Sequence, residues 1–257
     1  MNKNRIFIIS CFYDGTNPSI FKCVDSILKL YKNPKIVVVD SDSLDKTYFE
    51  KLIKKKVTVL NVKNKNYDTG AYWIGFKNFP DYKFYYFLHD SIFLKKNLSF
   101  YEKFNLTTLR YFMSINMVGR FKVKKARDKF YKNISNMLIK NKTLYYYNGF
   151  DDEKQYKWCL TQIKKTSYFI PKTWISIFGP IFFCKPLVLK SLIKKKFNKI
   201  LPKNKIQAQG MERLFGMAFQ QDGLDVTNSL QGDINETKLQ KKYAEKKYAE
   251  KKFFNRL

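Results

Sequence analysis

Apolar runs alternating with helix-spaced segments constrain this chain more than any other feature. Residues 5–12, Arg5-Ile6-Phe7-Ile8-Ile9-Ser10-Cys11-Phe12, are almost continuously apolar and include β-branched side chains, which predicts a strand buried on both faces. Asp14-Gly15-Thr16-Asn17-Pro18 breaks the run, and Pro18 suits the first turn of a helix. Over 19–31 apolar residues recur at Ile20, Val24, Ile27, Leu28 and Tyr31, the spacing of an amphipathic helix. Asn33-Pro34 stops that helix. Residues 35–39 then read as a second buried strand, 44–54 as a short helix and 57–62 as a third strand. This alternation is the signature of parallel βαβ units with right-handed crossovers. A helix over 69–79 and a fourth strand over 83–88 extend it, so the chain is expected to be an α/β protein of nucleotide-binding type.

In such open sheets ligands bind in the crevice beyond the carboxyl ends of the strands, so the polar residues there come first. Asp40 closes the second strand in Asp40-Ser41-Asp42-Ser43. It can accept hydrogen bonds from a ribose or a base N–H, or cap the next helix, a task open equally to Ser41, Asp42 or Ser43. Asp68 and Gly70 open the helix over 69–79. Asp68 either meets a ligand or caps that helix, and Gly70 allows close backbone approach or a tight helix start. Asp90 directly follows the fourth strand, beside His89, the single histidine of the chain. A carboxylate there can hold a hard divalent cation that bridges two phosphates. His89 is either a second ligand or structural. One histidine leaves no His–His metal site, and a Ser-His-Asp triad only with His89 as its base. Neither GxGxxG nor GxxxxGK[ST] occurs, which weakens dehydrogenase and P-loop readings.

The second half is less regular. Residues 106–117 read as strand or helix, and 127–140 as a helix with a basic exposed side. Asp151-Asp152-Glu153 is the acidic cluster of the region, and 174–183 is a strand-turn-strand candidate bending at Gly179-Pro180. Helices are expected over 187–196 and 210–219.

Fifty Lys and Arg against 21 Asp and Glu leave a formal charge of +29 across 257 residues. Either a basic surface meets a polyanion, or lysine is simply abundant throughout; no nucleic-acid module is recognisable. Cys11, Cys23, Cys159 and Cys184 lack CxxC spacing, so buried free thiols in a reducing compartment are expected. No apolar stretch reaches spanning length without charge. A cytoplasmic protein is expected, with peripheral attachment to a membrane as an extension. Residues 236–257 read as a basic helical tail carrying Lys242-Tyr243-Ala244-Glu245-Lys246 and its repeat Lys247-Tyr248-Ala249-Glu250-Lys251. At about 100° per residue the second copy turns by about 140°. Tyr243 and Tyr248 therefore share no face, which fits a solvated helix or loose attachment to anionic lipid better than a membrane stripe.

These residues also carry a family resemblance. Val37-Val38-Val39-Asp40-Ser41-Asp42-Ser43-Leu44-Asp45-Lys46-Thr47 resembles the strand-end segment with which GT-A glycosyltransferases hold the nucleoside of a sugar nucleotide. Asn64-Lys65-Asn66-Tyr67-Asp68-Thr69-Gly70-Ala71-Tyr72 with Leu88-His89-Asp90-Ser91 is similar to the rhamnan-synthesis type of polysaccharide glycosyltransferase. The likeness covers about residues 5–95 well and 174–220 loosely, through Phe178-Gly179-Pro180-Ile181-Phe182-Phe183 and Met211-Glu212-Arg213-Leu214-Phe215-Gly216. It implies a GT-A-like, Rossmann-type mixed sheet flanked by helices, with residues 1–100 holding the donor and 101–235 facing the acceptor. It implies transfer of a sugar from a nucleotide-diphosphate sugar to a hydroxyl of a glycan, polysaccharide or glycolipid. The donor-binding residues would be Asp40, Asp42, Asp68, Gly70, His89 and Asp90. The catalytic base would be Glu212, with Asp152 and Asp151 in reserve. Mn²⁺ or Mg²⁺ would be the cofactor, held by Asp90. The family's metal motif is Asp-x-Asp, whereas this chain has His89-Asp90-Ser91; Asp233 is a weak substitute for a missing C-terminal histidine ligand.

Two rivals compete. A sugar-phosphate nucleotidyltransferase needs a glycine-rich basic loop after the first strand, of which Asp14-Gly15-Thr16-Asn17 is a poor version. A non-catalytic basic module binding nucleic acid or anionic membrane predicts steep salt dependence. Neither accounts for carboxylates at successive strand ends.

Overall fold

A computed structural model describes residues 4–115, 150, 153–171, 173–233 and 249–251. Its first half follows the expected alternation: β1 (Arg5–Cys11), α1 (Ser19–Leu30), β2 (Lys35–Asp40), α2 (Tyr48–Lys54), β3 (Thr58–Leu60), α3 (Tyr67–Asn78), β4 (Phe84–His89) and β5 (Ile92–Leu94). After a 3-10 turn at Ser99–Lys103 come β6 (Leu106–Thr108), β7 (Tyr111–Ile115), α4 (Glu153–Ile163) and β8 (Thr173–Ile177). Then follow β9 (Phe182–Cys184), α5 (Pro186–Lys194), a 3-10 turn at Phe197–Lys199, α6 (Lys205–Gln221) and β10 (Ala249–Lys251).

Six strands form one mixed sheet in the order β3-β2-β1-β4-β9-β6. The first four are parallel, and β9 runs antiparallel between β4 and β6. The fold is thus the mixed α/β sheet flanked by helices that the sequence leads one to expect. Strand periodicity explains its burial. Ile6, Ile8, Val37, Val39, Tyr85, Phe87, Phe182 and Cys184 face one core, with α3, α4, α5 and α6. The intervening Phe7, Ile9, Ile36, Val38, Phe84, Tyr86 and Phe183 face the other, with α1 and α2. Successive side chains point to opposite faces, so an unbroken apolar run is what a sheet covered on both sides requires.

Several boundaries move for local reasons. The helix expected from residue 44 begins at Tyr48, because the Asp45 side chain accepts the Thr47 N–H at 2.7 Å and holds a turn before it. The helix expected from residue 210 begins at Lys205. Asn204 caps it by accepting the Gln207 N–H at 3.0 Å, while Gln207 returns the favour to the Lys203 N–H at 2.7 Å. Residues 106–117, left open as strand or helix, provide β6 and β7 within the described part. The 174–183 segment bends at Gly179-Pro180 as expected, yet is no hairpin. β8 pairs with β7 in a separate two-stranded sheet, whereas β9 enters the main one. The expected helix over 127–140 lies outside the described residues. Of the expected basic helix over 236–257, the described residues Ala249–Lys251 are instead a strand antiparallel to β5, whose edge supplies the backbone partners; the rest lies outside them. All four cysteines are free and buried, as expected.

Close backbone packing fixes the helices that border the site. Gly75 of α3 lies over Ile8, where a Cβ would come within 2.5 Å of Cγ2. Gly216 of α6 lies on β8, where a Cβ would come within 1.9 Å of the Ile175 carbonyl oxygen. The C-terminal end of α6 is tied down by Asp222, which accepts from Tyr168 (2.9 Å) and Ser191 (2.7 Å) and pairs with Lys195.

Candidate active site at the carboxyl ends of the parallel strands

Past the ends of β2, β3 and β4, further backbone hydrogen bonds hold the edge together. The Ser41 N–H donates to Cys11 (2.7 Å), Asn64 N–H to Asp40 (3.1 Å) and Asp90 N–H to Ser10 (3.0 Å). Side chains continue the seam. The Ser10 and Ser41 hydroxyls are 3.3 Å apart, and Asn64 Nδ2 donates to Ser41 Oγ at 3.0 Å and to the Tyr67 carbonyl at 2.7 Å. Asn64 Oδ1 accepts the Asn66 N–H at 3.0 Å. A polar ledge therefore runs from β1 across β2 to the start of α3.

Gly70 exists for this ledge. Its backbone φ is not in the left-handed region, but a Cβ would come within 2.2 Å of Asn64 Oδ1 and 2.6 Å of Asn66 Cβ. The room it leaves is for a side chain of the protein. Tyr67, at φ +54°, and Asp42, at φ +60°, adopt the left-handed conformation without being glycine. Such strain costs about 1–3 kcal/mol per residue; Asn33, Lys56, Lys63 and Lys196 share it, so it does not single out this edge.

Asp40 is wholly buried. Tyr48 donates to Oδ1 at 2.9 Å, the Ser43 N–H to Oδ1 at 3.3 Å, and Lys46 pairs with Oδ2. Burial alone raises the carboxyl pKa, but the hydrogen bonds from Lys46, Ser43 and Tyr48 outweigh it and hold the group below the usual carboxylate range. The geometry makes Asp40 the anchor of the 41–48 loop. Asp42 is part-exposed on that loop, with Lys65 Nζ 4.0 Å away, a surface pairing of little energetic weight.

A depressed folded-state pKa contributes stability that is fully present above the unfolded value, near 3.9, and is lost as pH falls through the folded value. Asp40→Asn is therefore expected to cost about 2 kcal/mol at pH 7, mainly from lost charge-assisted hydrogen bonds. The gap should narrow below about pH 4, where wild type loses the same contribution. Urea unfolding at pH 7 and pH 3 checks this; an equal gap at both would contradict the buried-anion assignment.

Asp68, in the first turn of α3, reaches across to the end of β4, where its Oδ2 lies 2.9 Å from His89 Nε2. The contact is an ion pair only when the imidazole is protonated, and His89 Nε2 makes no hydrogen bond among the described residues. Asp90 Oδ2 accepts the Phe12 N–H at 3.3 Å, so Asp90 sits at the junction of β4 with the loop leaving β1. The structure thus brings Asp68, His89 and Asp90 to one edge. Among the described residues no group of three or more His, Cys, Asp or Glu is gathered as a metal cage.

Glu212 belongs to the second half, on α6, where its Oε1 accepts the Gly179 N–H at 2.9 Å and its Oε2 lies 3.7 Å from the buried Arg213. It braces the Phe178-Gly179-Pro180 turn, in which Gly179 takes φ +58°. Asn66 Nδ2 donates to the Pro202 carbonyl at 3.1 Å, linking the ledge to the loop that starts α6. Asp233 bridges Tyr111 through its backbone. Asp151 and Asp152 lie outside the described residues.

No family model and no curated protein matches the sequence. Solved structures do. Staphylococcus aureus TarS 1-349 is 15% identical at a TM-score of 0.41, with 81% of this chain and 54% of that chain covered. The same protein in complex with UDP-GlcNAc is 16% identical at 0.40, covering 82% and 53%. Core-mannan synthase A from Aspergillus fumigatus, in an Mn/GDP form, is 9% identical at 0.42, covering 90% and 72%. The chain spans about half the length of the TarS 1-349 structures.

Ser10 and Tyr48 lie outside the site segments read from the sequence, while Lys46 and Asn64 lie inside them with no role assigned. Lys46 and Tyr48 carry a local signal, following Asp40 within one loop; Ser10 and Asn64 acquire their roles only through strand neighbours.

Proposed function

We propose that the protein is a glycosyltransferase that moves a sugar from a nucleotide-diphosphate sugar to a hydroxyl of a glycan, polysaccharide or glycolipid. The observation that carries this reading is the row Ser41–Asn64, Asp68–His89 and Asp90 along the carboxyl edge of the parallel strands. Open α/β sheets bind nucleotides at this edge. The resemblance of 64–72 and 88–91 to the rhamnan-synthesis type favours a polysaccharide-building enzyme. A cytoplasmic enzyme meeting its acceptor at an anionic membrane is part of the same reading.

In this mechanism Asp40 holds the 41–48 loop against the nucleoside, with Asp42 at its tip. Asp68 and His89 meet the sugar, and Gly70 makes room for the Asn64 side chain beneath the start of α3. Asp90 faces the diphosphate, where a Mn²⁺ or Mg²⁺ ion would neutralise charge on the departing phosphate. One carboxylate fits a cation that arrives with the diphosphate, since Mg²⁺-type ions complete their shell with phosphate oxygens and water. Glu212 accepts the proton of the acceptor hydroxyl. Asp152 is the reserve for that role.

The test is a thermal-shift panel of UDP-, GDP-, dTDP- and CMP-sugars with and without Mn²⁺, because a ligand selective for the native state raises Tm by mass action. One nucleotide class is expected to shift Tm, more strongly with Mn²⁺, while Mn²⁺ alone does nothing. No shift with any donor, accompanied by salt-sensitive binding to RNA or anionic vesicles, would replace the transferase with a basic binding module.

A further inference from the structure

Among the described residues, the buried Tyr72 hydroxyl makes no hydrogen bond, and neither does His89 Nε2, which lies 2.9 Å from Asp68 Oδ2; the indole N–H groups of Trp73 and Trp174 share that state. Folded proteins leave few buried polar groups unsatisfied, and each calls for an explanation. Tyr72 is only 2% exposed, its ring held by Phe87 (centroids 4.8 Å apart) and Phe182 (6.1 Å). It follows Asp68 by four residues on α3, so the two share a helix face. Phe87, against which the ring packs, lies two residues before His89 on β4. The helix and the strand therefore carry Asp68, Tyr72 and His89 toward one another. Burial first, then the charges of Asp68 and Asp90, push the Tyr72 hydroxyl well above its ordinary pKa. It keeps its proton and serves as a hydrogen-bond donor.

We propose that the Tyr72 hydroxyl reads the sugar of the donor, donating to a sugar hydroxyl oxygen beside Asp68 and His89. This rests on the glycosyltransferase reading and adds to it a residue that determines sugar specificity. The Tyr72 oxygen is closed to solvent, so the sugar reaches it by displacing the most exposed member of the cluster. That member is Asp68, whose side chain is 29% exposed against 14% for His89. A polyhydroxyl ring offers the acceptor that the Tyr72 hydroxyl lacks among the described residues.

Tyr72→Phe removes one oxygen and keeps the packed ring. Calorimetric titrations would compare UDP-glucose with UDP, GDP-mannose with GDP and dTDP-rhamnose with dTDP, on wild type and variant. The variant is expected to keep its Tm and its affinity for the parent nucleotide. Its affinity for the matching nucleotide sugar should fall about 10-fold, the scale of one hydrogen bond. A sugar nucleotide lacking the contacted hydroxyl should bind both proteins alike. Equal affinity of wild type and variant for the nucleotide sugar overturns the inference and leaves the glycosyltransferase intact. So does an equal loss for nucleotide and nucleotide sugar. A wild type that binds none of the pairs overturns both.

Discussion

Asp90→Ala is expected to lower sugar transfer by about 10²–10³-fold, the usual cost of deleting one group that stabilises developing charge. The fold should barely notice. The backbone bond from the Asp90 N–H to Ser10 survives the substitution, and the side-chain bond from Phe12 is long, at 3.3 Å. Tm should therefore stay within about 3 °C of wild type, the equivalent of about 1 kcal/mol in a chain of this size. Initial rates of donor consumption at saturating Mn²⁺, run beside a thermal melt, separate the two effects. A wild-type rate would remove Asp90 from the reaction. A collapsed melt would mean that its work is structural.

Gly216→Ala should have the largest effect on stability. Its new methyl group would meet backbone, 1.9 Å from the Ile175 carbonyl oxygen and 2.8 Å from Ser176 Cα. No side chain can swing away to make room, so α6 must lift from β8. Overpacking of this kind costs about 3 kcal/mol, or roughly 6–12 °C in Tm. Gly223→Ala is the informative control. Gly223 takes φ +72° with nothing within 4 Å of a Cβ, so only left-handed strain applies, about 1–2 kcal/mol. If both variants melt alike, the close approach of α6 to β8 is not what fixes Gly216.

The two variants mark where sequence reading succeeds and where it stops. Apolar runs such as 5–12 and 35–39 announce a doubly covered sheet because burial on both faces needs no polar alternation. His89 and Asp90 are legible because β4 ends at His89 and Asp90 directly follows it at the sheet edge, and Asp68 because it opens the helix that precedes that strand. Tyr72 is hidden, since an aromatic residue on a helix reads as core and its ring is indeed core; what marks it is an unsatisfied oxygen placed within reach of the Asp68 and Asp90 charges. Asp40 reads as a ligand of the nucleoside, yet Lys46, Ser43 and Tyr48 fold back over it, a closure that spacing along the chain does not express. Gly70 is legible as a need for space, but not as space for Asn64. β6 and β9 are three residues each, too short for periodicity to declare, and their partners lie far away in sequence.

Those distant partners shape how the chain can be made. β4 takes β1 on one edge and β9 on the other, so its second edge stays bare until residues 182–184 have been synthesised. A chain halted near residue 100 would present Tyr85, Tyr86 and Phe87 along an open aromatic strand, the kind of edge that recruits a second copy. The two halves of the chain are thus woven into one sheet. Neither can be cut away as a free-standing module, and the newborn amino-terminal half depends on whatever shields it until the rest of the chain arrives.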